Sequence, residues 1–234
     1  MNSGEFFREL DARIAKYDLL CHPFYQAWAS GELTRDDLSE YARDYYHHVD
    51  AFPRYLADFA DRLESGELRD AVLANMADEE GGHHGLAKIS RSHSELWLDF
   101  ADGVGAERDL TAHSPLPEVR SLIAFFERVA REGTPEEALA AFYAYESQVP
   151  RIAKEKARGL RERYGFAEVV CAYFTLHETA DVYHSRVWRR QLGQLLELHP
   201  GVREKSLDAA EHAAKMMWQA LDGIEARRKA HMAA

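Results

Sequence analysis

Helical periodicity runs along almost the whole chain and leaves room for little except helices packed on helices. From Glu5 to Leu20, apolar residues recur at Phe6, Leu10, Ile14 and Tyr17, at spacings of four and three. Thr34-Arg35-Asp36-Asp37 opens a second helix with a hydroxyl cap and an acidic first turn. It heads for Phe52, where Pro53 is expected to bend or divide it. Glu67 to Glu80 follows, with Leu68, Val72 and Met76 on one face, until Gly81-Gly82 weakens the pattern. The stretch from Gly81 to Pro117 is the least regular, with turns expected around a short helix near Glu95–Ala101. A helix from about Val119 to Arg131 comes next. Thr134-Pro135-Glu136-Glu137 then combines a cap, a proline at the first helical position and a capping-box glutamate. The helix it opens runs toward Tyr164 with a kink at Pro150. Glu168 to Leu198 reads as one long helix ended by Pro200, and a last helix fills the C-terminal segment from Gly201. No period-2 strand, internal repeat or glycine-rich phosphate loop is present. The expectation is all-α: one domain over residues 1–234, made of seven to eight helices.

Composition narrows what such a bundle can do. The chain has 234 residues, 46% of them hydrophobic, enough to bury a core without staples. A formal net charge of -11 argues against nonspecific binding to nucleic acid or to an anionic membrane. No run of about 18 apolar residues could form a membrane span, and charges interrupt the N-terminal segment where a signal peptide needs an apolar stretch. Cys21 and Cys171 lie far apart and form no metal pair or disulfide framework. A cytoplasmic protein is expected.

Three constellations could carry chemistry. The sharpest is His177-x3-Asp181-x2-His184. On a helix, positions i, i+4 and i+7 share one face, and the two histidines would stand about 10 Å apart along the axis. That is too far for one ion and suits two, with the aspartate between them; a solvated charged face is the bland alternative. The second is Glu146, set in the apolar run from Ala138 to Val149. A carboxylate there is costly unless bound to metal or paired, for instance with Arg151. The third is Asp78-Glu79-Glu80-Gly81-Gly82-His83-His84, followed by His93. Glu80-x-x-His83 matches the spacing of di-iron carboxylate bundles, Glu79 with His93 is a longer pairing, and an exposed polar turn is the plain reading of His83-His84. Carboxylate and imidazole without thiolate suit iron or manganese. Tyrosines are numerous, 11 in all, with Tyr25, Tyr41, Tyr45, Tyr46, Tyr143 and Tyr145 near the candidate helices; an ordinary aromatic core would account for them.

The strings YAYESQVPRIAKEKARGLRERYGF and YFTLHETADVYH, with HPFYQAW, DYYHHVDAFPRYL and ANMADEE, closely resemble the family of the chlamydia protein associating with death domains and its bacterial relatives. The similarity extends from about residue 5 to residue 220. It implies a haem-oxygenase-like helical bundle that holds no haem but a dinuclear site, Fe/Fe or Mn/Fe, with dioxygen as co-substrate and an external reductant. The family's ligands fall here on Glu79, His93, Glu146, His177, Asp181 and His184. Its activity is para-aminobenzoate formation for folate synthesis by self-consuming oxidation. The implied carbon source is Tyr25 and the implied amino donor Lys156, which the residues alone would read as a surface helix lysine. Tyr41 and Tyr145 match tyrosines that relay or support the radical chemistry.

One departure stands out. The family separates its first Glu and His as E-x6-H, whereas thirteen residues separate Glu79 from His93. Seven residues within Gly81 to Ser92 read as an insertion. On a continuous helix the two would lie about 21 Å apart, so the insertion must loop out, or else His83 or His84 takes the place of His93. The competing activities are a dimetal oxidase of an external small molecule and a metal-free quinone-synthase or thiaminase-type enzyme, the latter needing Cys21 or Cys171 as nucleophile. A binding protein is the remaining reading. Dioxygen and reductant are the expected partners, with no nucleic acid and no membrane; a homodimer is left open.

Overall fold

The computed structural model describes residues 2–82 and 91–233. Among these there are eleven α-helices and two short 3-10 turns, and no strand. The helices are α1 (Ser3–Ala15), α2 (Pro23–Ser30), α3 (Arg35–Ala60), α4 (Glu67–Glu79), α5 (His93–Val104) and α6 (Pro117–Glu132). They continue with α7 (Pro135–Glu146), α8 (Val149–Glu162), α9 (Glu168–His177), α10 (Ala180–Leu198) and α11 (Arg203–Met232). None of them is long and apolar enough to cross a membrane.

The all-α expectation holds, with the helices divided more finely than seven or eight. The pattern from Glu168 to Leu198 is two helices, because Thr179 leaves the helical backbone at φ -121°, ψ -38°. The pattern opened by Thr134 is also two. The break falls at Ser147-Gln148, and Pro150 sits in the first turn of α8, where its missing N–H costs no hydrogen bond. Conversely, α3 is not divided at Pro53. Phe52, Tyr55, Leu56 and Phe59 are all buried around the proline, and their packing holds the helix through it.

α7 is the central rod. Ten of its twelve residues are buried, the all-round burial of a core helix. Ala138, Ala140, Ala141 and Ala144 are small enough to let α10 and α11 pack close against it. α3 lies along α4, α5 and α6, while α9 packs on α5 and α8. This layout brings three helix C-termini together, since Glu79, Glu146 and His177 are the last residues of α4, α7 and α9. Carbonyl-rich helix ends favour positive charge.

The connection from α4 to α5 turns on Gly81. Its φ is +82°, and a Cβ there would sit 2.6 Å from the Arg91 carbonyl carbon. The chain therefore leaves at Gly81 and returns at Arg91 in the same place. Glu79 and His93 meet in spite of the thirteen residues between them. His83 and His84 themselves lie outside the described residues.

Candidate functional site

Six side chains from five helices meet in the core as two groups of three. Glu79, His93 and His177 form one; Glu146, Asp181 and His184 form the other. Within each group the ligand-type atoms all lie within 4.8 Å of one another, and all six residues are buried. The break at Thr179 explains the division of the His-x3-Asp-x2-His string. His177 closes α9 and faces Glu79 and His93, while Asp181 and His184 sit on one face of the start of α10.

Neighbouring groups orient these side chains. His177 Nδ1 is 2.7 Å from the Tyr173 carbonyl, which leaves Nε2 as its free nitrogen. Asn75 donates to Glu146 Oε1 at 3.1 Å, and the Trp188 indole donates to Glu146 Oε2. His93 Nδ1 stands 2.6 Å from Glu79 Oε2, poorly aligned for a hydrogen bond.

The electrostatics are those of a cation site. Burial, reinforced by the negative charges of Asp181 and Glu79, pushes Glu146 well above the usual carboxylate range, although His184 partly offsets it. Burial would raise Glu79 too, but the facing His93 outweighs it and holds that carboxyl below its usual value. Burial opposes charge on His184, yet the adjacent carboxylates of Asp181 and Asp78 raise it well above an ordinary imidazole. His93 Nδ1, Asp181 Oδ2 and His184 Nδ1 are buried with no hydrogen-bond partner. Such orphans are rare in folded proteins. A cation at each group would satisfy them and neutralise three clustered carboxylates, so the donor set fits a pair of divalent metals.

Beside this centre lies a second cavity of about 30 Å³. Tyr25, Tyr41, Tyr45, Trp97 and Lys156 line it. Tyr145 and Tyr173 line both this cavity and the one at the carboxylates, and so form the wall between them. Lys156 is 5% exposed. Its Nζ donates to Tyr25 Oη at 2.8 Å and to Tyr41 Oη, and the two phenol oxygens are 3.3 Å apart. The amine also stands 4.2 Å from the centre of the Tyr25 ring. Burial drives Lys156 well below an ordinary lysine, and burial drives the phenols of Tyr25 and Tyr41 upward. Burial thus favours the uncharged form of all three.

Several alternatives fall away on this geometry. Arg151 is an exposed partner of Asp18 and does not pair with Glu146. Lys156 is not a surface lysine, and the His-x3-Asp-x2-His face is not solvated. Glu80 is exposed and belongs to neither group. Cys21 is exposed, and Cys171, though buried, lines neither cavity.

Residues 39–231 match the model of a haem-oxygenase-like family described as iron-containing redox enzymes. The chain belongs to that family. It is 38% identical to the 4-aminobenzoate synthase of Chlamydia muridarum, over 95% of this chain and 91% of that protein. It is 35% identical to the 4-aminobenzoate synthase of Nitrosomonas europaea, over 96% of this chain and 92% of that protein. Among solved structures, a domain of unknown function with a heme oxygenase-like fold from Shewanella denitrificans superposes with a TM-score of 0.80. That match is 16% identical and covers 99% of this chain and 95% of that one.

The site of this family member contains residues that the motifs did not single out. Asn75 precedes Glu79 by four, Trp188 follows His184 by four, and Tyr173 precedes His177 by four. Each stands one helical turn from a candidate ligand, and that spacing is the signal that could have found them.

Proposed function

We propose that this chain is an oxygen-activating, non-haem dimetal oxidase that forms 4-aminobenzoate from its own Tyr25, with Lys156 as amino donor. Glu79, His93 and His177 would hold one metal, and Glu146, Asp181 and His184 the other, as Fe/Fe or Mn/Fe. With dioxygen and an external reductant, such a pair supplies oxidising power sufficient for a phenol.

The observation that carries the reading is the contact of Lys156 with Tyr25 in a buried aromatic pocket, one tyrosine wall away from the two groups of ligands. The chain's own residues have clear tasks. Burial favours the uncharged form of Lys156, which makes its nitrogen lone pair available beside the Tyr25 ring. Tyr41 fixes both partners through its hydroxyl. Tyr145 and Tyr173 separate the aromatic pocket from the ligand groups and place phenols between them. The space left in this pocket, about 30 Å³, is small, which favours an internal substrate over an external one.

The test is to load the chain with ferrous and manganous ions anaerobically, add dioxygen and reductant, and quantify 4-aminobenzoate by mass spectrometry. Expected are no more than one product per chain, a matching loss of mass at Tyr25, and no product from Tyr25→Phe. Equal yield from Tyr25→Phe overturns the carbon source. Many turnovers per chain with an added small molecule would move the reading to an external substrate.

A further inference from the structure

Asp78 precedes the candidate ligand Glu79 at the end of α4. Successive helix residues point about 100° apart, and here the two carboxylates diverge to different groups. Glu79 meets His93, and Asp78 Oδ2 lies 3.1 Å from Nε2 of His184. The Asp78 side chain is 17% exposed against 6% for Glu79, which puts it at the rim, behind the imidazole. On the other side of the ring, His184 Nδ1 is buried, without a hydrogen-bond partner, 3.4 Å from Asp181 Oδ1.

From this arrangement we infer that Asp78 is the positioning residue of the second metal position. Its carboxylate accepts the Nε2–H of His184 and so presents the Nδ1 lone pair to the space shared with Glu146 and Asp181. An imidazole that donates from one nitrogen offers the other, and a carboxylate behind a ligating histidine fixes its ring and raises its basicity. The end of α4 thus serves both positions: the first through Glu79 directly, the second through Asp78 acting on His184. This inference rests on the dimetal reading above.

The experiment is anaerobic titration of the metal-free chain with manganous ion, followed by calorimetry and by metal analysis after desalting, for wild type, Asp78→Ala and Asp78→Asn. Wild type is expected to bind two ions. Asp78→Ala should retain one with unchanged affinity and bind the other about 10–100-fold more weakly. Asp78→Asn, whose amide oxygen still accepts Nε2–H, should recover most of that loss. If Asp78→Ala does not fold, Asp78→Asn carries the comparison, with near-wild-type loading expected. Two ions bound to Asp78→Ala as tightly as to wild type, equal weakening of both ions, or no rescue by asparagine would each overturn the inference while leaving the dimetal reading intact. A wild-type chain that binds neither ion would sink both.

Discussion

Lys156 Nζ lies 2.8 Å from Tyr25 Oη, and the pair is clamped from behind: Trp28, on the same helix as Tyr25, donates its indole N–H to the Lys156 carbonyl at 3.2 Å. The clamp depends on a close approach of α2 to α8. A Cβ at Gly159, one turn beyond Lys156, would come within 2.9 Å of the Trp28 indole. Gly159→Ala should therefore push the two helices apart. We expect about 1–3 kcal/mol of destabilisation from overpacking, together with a several-fold loss of 4-aminobenzoate at unchanged metal content. Urea unfolding and product yield per bound metal measure the two effects. Full yield from a folded Gly159→Ala chain would show that the Lys156–Tyr25 distance does not limit the reaction.

The depressed basicity of Lys156 makes stability depend on pH in a definite direction. Below its ordinary value of about 10.4 the unfolded chain carries the proton, and the folded chain has shed it down to the depressed value. The unfolded state thus binds more protons, and stability rises with pH across that window. Lys156→Met removes this dependence but takes one hydrogen-bond partner from each of two buried phenols that still face each other, a roughly constant cost of about 0.5–1.5 kcal/mol each. The stability of Lys156→Met relative to wild type should accordingly fall as pH rises from the depressed value toward about 10, by up to about 1.4 kcal/mol per pH unit. Urea unfolding of both chains at several pH values tests this. A difference that does not change with pH would mean that Lys156 is charged in the folded protein.

The two groups of ligands are unequal. Glu79, His93 and His177 bring one carboxylate and two imidazoles, whereas Glu146, Asp181 and His184 bring two carboxylates and one imidazole. Imidazole suits iron and carboxylate suits manganese. In a chain supplied with both ions, manganese should concentrate at Glu146, Asp181 and His184, and iron at Glu79, His93 and His177. Anomalous diffraction at the two absorption edges reads this directly, and the reverse occupancy would refute it. Chelation should also lower the thermal midpoint, because an ion held at 100 times its dissociation constant contributes about 2.7 kcal/mol.

Much of this was legible in the residues, and the gaps have physical causes. A hydroxyl cap at Thr34 and a capping box at Thr134 marked helix starts that the structure keeps. Glu146 was conspicuous because a carboxylate inside an apolar run requires a partner, though periodicity could not tell Arg151 from a metal. The break between α9 and α10 was invisible, since the linking residues Glu178 and Thr179 are neither proline nor glycine. Lys156 lay beyond local reasoning altogether. In sequence it stands among Arg151, Lys154, Glu155 and Arg158, and only the packing of α2, α3 and α9 around α8 reveals it as the buried member of that polar set.

Gly81 carries the pairing of Glu79 with His93 across the longer connection. Its φ of +82° is strained for any residue with a Cβ, and that Cβ would also strike the Arg91 carbonyl carbon at 2.6 Å. Backbone cannot yield there without moving Arg91, two residues before His93. Gly81→Ala should therefore shift the start of α5 away from α4, weakening the ion at Glu79, His93 and His177 more than the ion at Glu146, Asp181 and His184. A loss of about 10-fold or more in the first affinity is expected, with about 1–3 kcal/mol lost from the metal-free fold by strain. Calorimetric titration with manganous ion resolves the two affinities. If Gly81→Ala leaves both unchanged, the approach of Arg91 to Gly81 is not what holds His93 against Glu79.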